Sequence, residues 1–254
     1  MMRWFRFGKK RKDPALPGLS LEENPIRTEL HNHLVPGVDD GVGTLDETLT
    51  VLRQYEAWGY ERVVITPHVM SGYYPNTEAD LLEKADEIRR AAEADGLSIQ
   101  VRVAAEYFLD ETLVERAKKG PLLTLGGAFL LVETDFMQRP MDFERNIFEL
   151  QVRGYQIVLA HPERYAYLHR DPSQYDDLRT RGIRFQVNLF SMVGHYGDAV
   201  YHFARRLIKK GDVDFIGSDL HGPRHLPVME KALTSPLYRE AVGKNIQNNR
   251  LSWD

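Results

Sequence analysis

Seven short runs rich in β-branched and aliphatic residues punctuate the chain, and longer segments with apolar residues three and four apart lie between them. The short runs predict strands over 28–34, 62–68, 100–107, 129–134, 156–162, 184–190 and 214–219. The longer segments predict helices over 45–58, 78–94, 111–118, 142–153, 173–181 and 199–210, with a last one over 227–233. Local chemistry agrees with these boundaries. Thr44 and Glu47 have the spacing of a capping box, and Pro172 after Asp171 suits a first helical turn. Gly59, Gly96, Gly154, Gly182 and Gly211 fall just past helical runs, where a left-handed residue closes a helix. Repeated strand–helix alternation implies parallel strands with crossover helices, in an open doubly wound sheet or a closed barrel. No Gly-rich phosphate loop follows the first strand, and no break in composition marks a second domain. The simplest division is a tail and lead-in over 1–24 and one domain over 25–254.

Composition narrows the chemistry. The 254 residues are 43% hydrophobic and 28% charged, as in an ordinary globular protein, and the net charge of -4 gives no general attraction for nucleic acid. There is no cysteine, so disulfides and thiolate metal sites are excluded. A metal site must use imidazole and carboxylate, which suits zinc, manganese or iron. The lack of cysteine fits the cytoplasm, and no stretch approaches the roughly 20 apolar residues that span a bilayer. Residues 1–13 are basic and carry Trp4, Phe5 and Phe7 without an apolar signal core. A solvated tail is the plain expectation, and weak adhesion to an anionic membrane surface is the alternative.

The chemistry-bearing residues sit at one end of the strands. The first run ends in His31-Asn32-His33, whose imidazoles share a strand face, and Pro36-Gly37-Val38-Asp39-Asp40-Gly41 follows as a turn offering two carboxylates. Later runs end in His68, Glu106, Glu133, His161-Pro162-Glu163-Arg164 and Ser218-Asp219-Leu220-His221. Parallel α/β architectures gather these edges on one face, where their ligand sites lie. One such residue is ordinary core or cap chemistry, but the series is not. So many polar groups brought together need a cation to neutralise the carboxylates and use the imidazole lone pairs. His169, His195, His202 and His225 lie off these edges; His195 reads as a surface residue, and His225 sits beside a substrate-side loop.

With HNHLVPGVDDG, TPH, AAEY, LLVET, AHPERY and SDLHG in view, the chain resembles the PHP (polymerase and histidinol phosphatase) metallohydrolases. Within them it is most similar to the manganese-dependent protein-tyrosine phosphatases of bacterial capsule and exopolysaccharide loci, over about residues 29–233. The resemblance implies a distorted (β/α)7 barrel and two or three divalent ions, manganese before iron or zinc. In its trinuclear form His31, His33, Glu106 and Asp219 would hold one ion. Glu133 and His161 would hold a second, with Glu106 bridging. Asp40, His68 and His221 would hold the third, spacing leaving Asp39 as the other choice for Asp40. Arg164 and Arg224 would contact phosphate, as a guanidinium fork suits two oxygens.

The expected reaction is attack of a metal-bridging hydroxide on protein phosphotyrosine, with Arg164 and Arg224 stabilising charge and Asp219, His221 or a metal-bound water as alternative proton donors. Tyr73, Tyr74 and Tyr107 are equally readable as ring-stacking or packing residues. The implied partner is the phosphotyrosine tail of a bacterial tyrosine autokinase, with no nucleic acid. The rivals are a histidinol-phosphate phosphatase, an exonuclease acting on DNA ends, and a non-catalytic phosphotyrosine-binding regulator.

Overall fold

A computed structural model describes residues 18 and 20–253, so the basic aromatic segment 1–13 lies outside the described residues. The strands are β1 (Thr28–Leu30), β2 (Arg62–Ile65), β3 (His68–Val69), β4 (Gln100–Val103), β5 (Glu106–Phe108), β6 (Phe129–Glu133), β7 (Gln156–Ala160), β8 (Arg184–Asn188) and β9 (Phe215–Gly217). The helices are α1 (Leu45–Ala57), α2 (Glu78–Ala94), α3 (Glu111–Lys119), α4 (Phe143–Val152), α5 (Ala166–Arg170), α6 (Pro172–Thr180), α7 (Asp198–Lys210), α8 (Leu226–Leu233) and α9 (Pro236–Val242). Neither α5 nor α9 was expected from the pattern, because each is too short for a helical period to show. No helix among the described residues is long and apolar enough to cross a membrane.

All strand pairs are parallel, in the orders β1-β2-β4 and β3-β5-β6-β7-β8-β9. These nine strands occupy the seven expected positions, since two runs are broken in the middle. Pro67 has no N–H to give a ladder and biases Thr66 away from regular pairing, so the run over 62–68 splits into β2 and β3. Its neighbour splits alongside, into β4 and β5. The ladder nevertheless carries across both breaks, through Ala104 N to Ile65 O at 2.8 Å and Glu106 N to Pro67 O at 3.0 Å. The result is a curled, distorted barrel wrapped by helices.

The period-2 alternation of each strand sorts its side chains between two cores. Val63, Ile65, Val103, Leu130, Val132, Ile157, Leu159 and Val187 face outward into the larger core under the helices. Leu30, Val64, Ala104, Leu131, Val158, Ala160 and Phe215 face inward, where Leu125 and Leu251 complete a second, smaller cluster. This inner cluster fills the end of the barrel away from the expected ligands. Trp253 packs against it between the guanidinium groups of Arg62 and Arg102, each about 5.5 Å from its ring.

Side chains do much of the closing between β9 and β1. At one end, Asn248 donates to Thr28 O (3.0 Å) and Ile216 O (2.7 Å) and accepts from Ile216 N (3.0 Å). In the middle the buried Glu29 carboxylate accepts from Ser218 N at 2.8 Å. At the other end backbone bonds take over, from Asp219 N to His31 O (2.7 Å) and from His33 N to Leu220 O (2.9 Å). Asn248→Ala removes all three of its bonds and strands buried backbone groups. We expect it to cost about 3 kcal/mol at roughly 1 kcal/mol per bond, read as a lower urea midpoint at unchanged m-value. A shift equivalent to less than about 0.5 kcal/mol, the range of ordinary surface changes, would show that closure does not depend on this residue.

Candidate metal centre

Closure puts the residues after β1 beside those after β9, and the ends of the other strands complete the same face. His31, His161 and Asp219 are the described non-glycine residues with positive φ, at 73°, 34° and 56°. Each follows directly on a strand end or lies one residue beyond it. The left-handed turn swings the side chain over the barrel mouth at a cost of order 1–3 kcal/mol per residue. Gly217 makes room for this turn. A Cβ there would lie 2.4 Å from Leu30 O and 2.7 Å from His31 Cβ.

The side chains converge in three groups whose nitrogen and oxygen atoms lie within 4.8 Å of one another. His31, His33, Glu106 and Asp219 form one, the combination that the resemblance implied for one ion. His33, Asp40, His68 and His221 form another, the expected third set with His33 added. The last contains His68, Glu106 and Glu133, where His161 was expected in place of His68. His161 instead stands against the shared carboxylate, Nε2 to Glu106 Oε1 at 3.0 Å. His68 presents Nδ1 to Glu133 (3.1 Å) and Glu106 (3.2 Å), and Nε2 to Asp40 (3.6 Å). The two neighbouring aspartates are placed differently. Asp40 faces His68 and His221, whereas Asp39 is buried beneath and accepts from His33 Nδ1 at 2.8 Å.

Hydrogen bonds from below orient the imidazoles. His31 Nδ1 lies 2.6 Å from Gln186 Oε1, Gln186 Nε2 donates to Asn188 Oδ1 (2.8 Å), and Asn188 Nδ2 donates to Asp219 Oδ2 (2.9 Å). This chain has one consistent direction. An amide oxygen can only accept, so His31 carries its proton on Nδ1 and turns the Nε2 lone pair to the cluster. Asp39 does the same for His33, and the carbonyl of Asp219 does so for His221 at 2.9 Å.

The residues present fit divalent metal ions. His31 Nε2, His33 Nε2, His68 Nδ1 and Glu106 Oε2 are buried without a hydrogen-bond partner among the described residues, and all four face the cluster. The electrostatics ask for positive charge. Burial alone would lower the His31 basicity, but Glu106 and Asp219 outweigh it and push the imidazole up to about 9. Burial likewise opposes ionisation of Glu106 and Asp219, yet the facing imidazoles hold both well below the carboxylate range. Cations meet this demand while leaving the imidazole lone pairs in use.

Above the donors is a cavity of about 520 Å³ whose lining includes Met70, Tyr74, Phe108, Phe136, Arg164 and Tyr196. Arg164 donates to Asp219 Oδ2 at 2.7 Å. Arg224 is exposed at the rim and makes no ion pair among the described residues. Tyr74 stacks on His68 with ring centres 5.3 Å apart. Tyr107 is instead a packing residue, its hydroxyl donating to Glu78 and accepting from Leu123 N, and Tyr73 is 75% exposed outside the cavity. His195 is exposed and His225 partly buried, both at the rim. Sequence reasoning missed Gln186 and Asn188, although polar residues two apart in the otherwise apolar run FQVNLF are a readable signal of an inward polar face. Phe136 and Tyr196 lie on loops and carried no signal.

A family model for capsular polysaccharide synthesis, CpsB/CapC, matches residues 27–249. The chain belongs to this family. The tyrosine-protein phosphatase YwqE of Bacillus subtilis (strain 168) is 28% identical over 194 residues, 76% of each chain. The putative tyrosine-protein phosphatase CapC of Staphylococcus aureus is 25% identical over 228 residues, 88% of this chain and 89% of its own. A chain from the crystal structures of YwqE from Bacillus subtilis and CpsB from Streptococcus pneumoniae, described as unique metal-dependent tyrosine phosphatases, superposes with a TM-score of 0.76 at 26% identity. That match covers 89% of this chain and 95% of the other. An amidohydrolase from Mycoplasma synoviae, at 14% identity and a TM-score of 0.52 over 93% of this chain and 90% of its own, shares the fold alone.

The Gln186 relay generates a test. Gln186→Leu keeps similar bulk but removes the acceptor that sets the His31 tautomer. Divalent-metal affinity, measured by chelator competition on the folded variant, is expected to fall about 10- to 100-fold. Unchanged affinity would mean that His31 is oriented by other contacts.

Proposed function

We propose that this CpsB/CapC-family chain is a metal-dependent protein-tyrosine phosphatase, with its catalytic domain over residues 25–254. The observation that carries the reading is the convergence of three donor groups on the floor of one cavity, with a buried-side arginine at its wall. The relatives named as tyrosine phosphatases support it.

In this reading His31, His33, Glu106 and Asp219 would hold one ion, and Asp40, His68 and His221 would hold another. Glu133 and His161, beside Glu106, would serve a third. Manganese is the proposed metal, since an all-nitrogen and oxygen donor set accepts it. Bound divalent cations lower the pKa of water and neutralise phosphate oxygens, which removes the main barrier to hydrolysis of an anionic ester. Arg164 and Arg224 add fixed positive charge for the equatorial phosphate oxygens. Asp219 is fully engaged, with one oxygen toward His31 and His33 and the other held by Arg164 and Asn188. His221 points Nε2 at Asp40 and gives Nδ1–H to a carbonyl. Both arrangements suit ligands better than proton donors. Phenolate is a stable enough leaving group to depart without a side-chain acid, which favours aryl over alkyl esters. Met70, Tyr74 and Phe108 give the cavity an apolar wall for the ring. The proposed partner is the phosphotyrosine tail of a tyrosine autokinase in capsule or exopolysaccharide synthesis, met in the cytoplasm.

The test is phosphate release after chelation and reloading with manganese, run in parallel on a phosphotyrosine peptide, histidinol phosphate and single-stranded DNA. Metal-dependent turnover of the peptide, abolished in His31→Ala, is the expected result. Faster turnover of either other substrate, or none by the folded metal-loaded protein, would overturn the assignment. Arg164→Lys keeps the charge but not the fork, and should lower kcat/KM for the peptide by about 100-fold. A loss under about threefold would remove Arg164 from transition-state stabilisation, since that is under 1 kcal/mol.

A further inference from the structure

Arg164 is held in a way no other cavity residue is. Its guanidinium carbon lies 4.6 Å from the centre of the Phe136 ring and 4.4 Å from the centre of the Tyr196 ring. Its Nη1 is fixed to Asp219 Oδ2 at 2.7 Å. Its Nε and Nη2 make no hydrogen bond or ion pair among the described residues, and the side chain lines the cavity. Three loops meet here. Phe136 follows β6, Arg164 follows β7, and Tyr196 lies between β8 and α7. Phe136 remains 37% exposed, yet it is fixed from two sides. Its ring also stacks on His161 with centres 5.6 Å apart, and its carbonyl accepts from Ala166 N at 2.7 Å.

We propose that Phe136 and Tyr196 are positioning residues that clamp the Arg164 guanidinium between two aromatic rings and aim its remaining donors at a phosphoryl group in the cavity. The physical basis is straightforward. A guanidinium is planar and weakly hydrated, and the face of an aromatic ring attracts it. Two rings restrict the tilt of its plane, and the Asp219 bond restricts rotation within that plane. What is left free is an edge with parallel N–H groups, the arrangement that holds two phosphate oxygens. A lone arginine on a loop would have to be ordered at each substrate encounter, whereas this one is ordered beforehand. Exposed Arg224 has no such support, so the clamp gives the two arginines different duties: Arg164 is set in place and Arg224 adapts. The proposal rests on the phosphatase reading only for its catalytic consequence, because binding of inorganic phosphate tests the clamp by itself.

The experiment is a double-mutant cycle in the full, manganese-loaded chain. Phe136→Leu and Tyr196→Leu are made singly and together with Arg164→Lys, and Phe136→Tyr and Tyr196→Phe keep a ring at each position. Calorimetric affinity for inorganic phosphate and kcat/KM for 4-nitrophenyl phosphate are measured for each, with metal content. Each leucine variant should weaken phosphate binding and lower kcat/KM by about 5- to 10-fold, at unchanged metal content, and the ring-keeping variants should stay within about twofold of wild type. With Lys at position 164 the leucine changes should have little further effect, because the group they orient is gone. Leucine effects that persist in full in the Arg164→Lys background would overturn the clamp, as would leucine variants that bind phosphate like wild type. A wild type that binds phosphate with this pattern but turns over no ester would uphold the clamp and sink the phosphatase reading.

Discussion

The closure of β9 onto β1 is the constraint on which the rest of the molecule depends. It joins residues nearly the full length of the described chain apart, and it does so with a mixed set of bonds: Asn248 at one end, Glu29 and Ser218 in the middle, backbone pairs at the other. Only with this seam shut do His31 and His33 stand against Asp219 and His221. The donors of the site therefore depend on interactions that lie partly on the opposite end of the barrel, far from any ligand.

That juxtaposition is expensive, and the structure shows how it is tolerated. Three donor residues adopt a left-handed backbone, several imidazole and carboxylate atoms are buried without a hydrogen-bond partner, and imidazoles crowd around the buried Glu106 carboxylate. Beneath them the layer of Gln186, Asn188 and Asp39 is satisfied with consistent hydrogen-bond directions. The rigid lower layer is what lets the upper layer stay frustrated until cations complete it.

Most of the fold was legible because its signals are local or periodic. β-branched runs marked all seven strand positions, and the Thr44–Glu47 box and five helix-ending glycines, all with positive φ, marked boundaries. The breaks in the second and third strands were less visible. Pro67 announces the first, but no residue at Ala104-Ala105 announces the second. In the site, residues at strand ends could be read because topology alone gathers them. The approach of His68 to Glu133 could not, since it depends on ring orientation rather than chain position. Phe136 and Tyr196 were invisible for a related reason: they act from irregular loops on a guanidinium that a third loop supplies.

The bond from Asn248 to Thr28 spans 220 residues of sequence. While a ribosome is still making the chain, β1 emerges long before the segment that secures it. During that interval His31, His33 and His68 are an unfinished chelator without Asp219 or His221. Such a partial set holds cations loosely and discriminates poorly among them, so the stable choice of metal belongs to the finished barrel and to the ion supply it meets after synthesis.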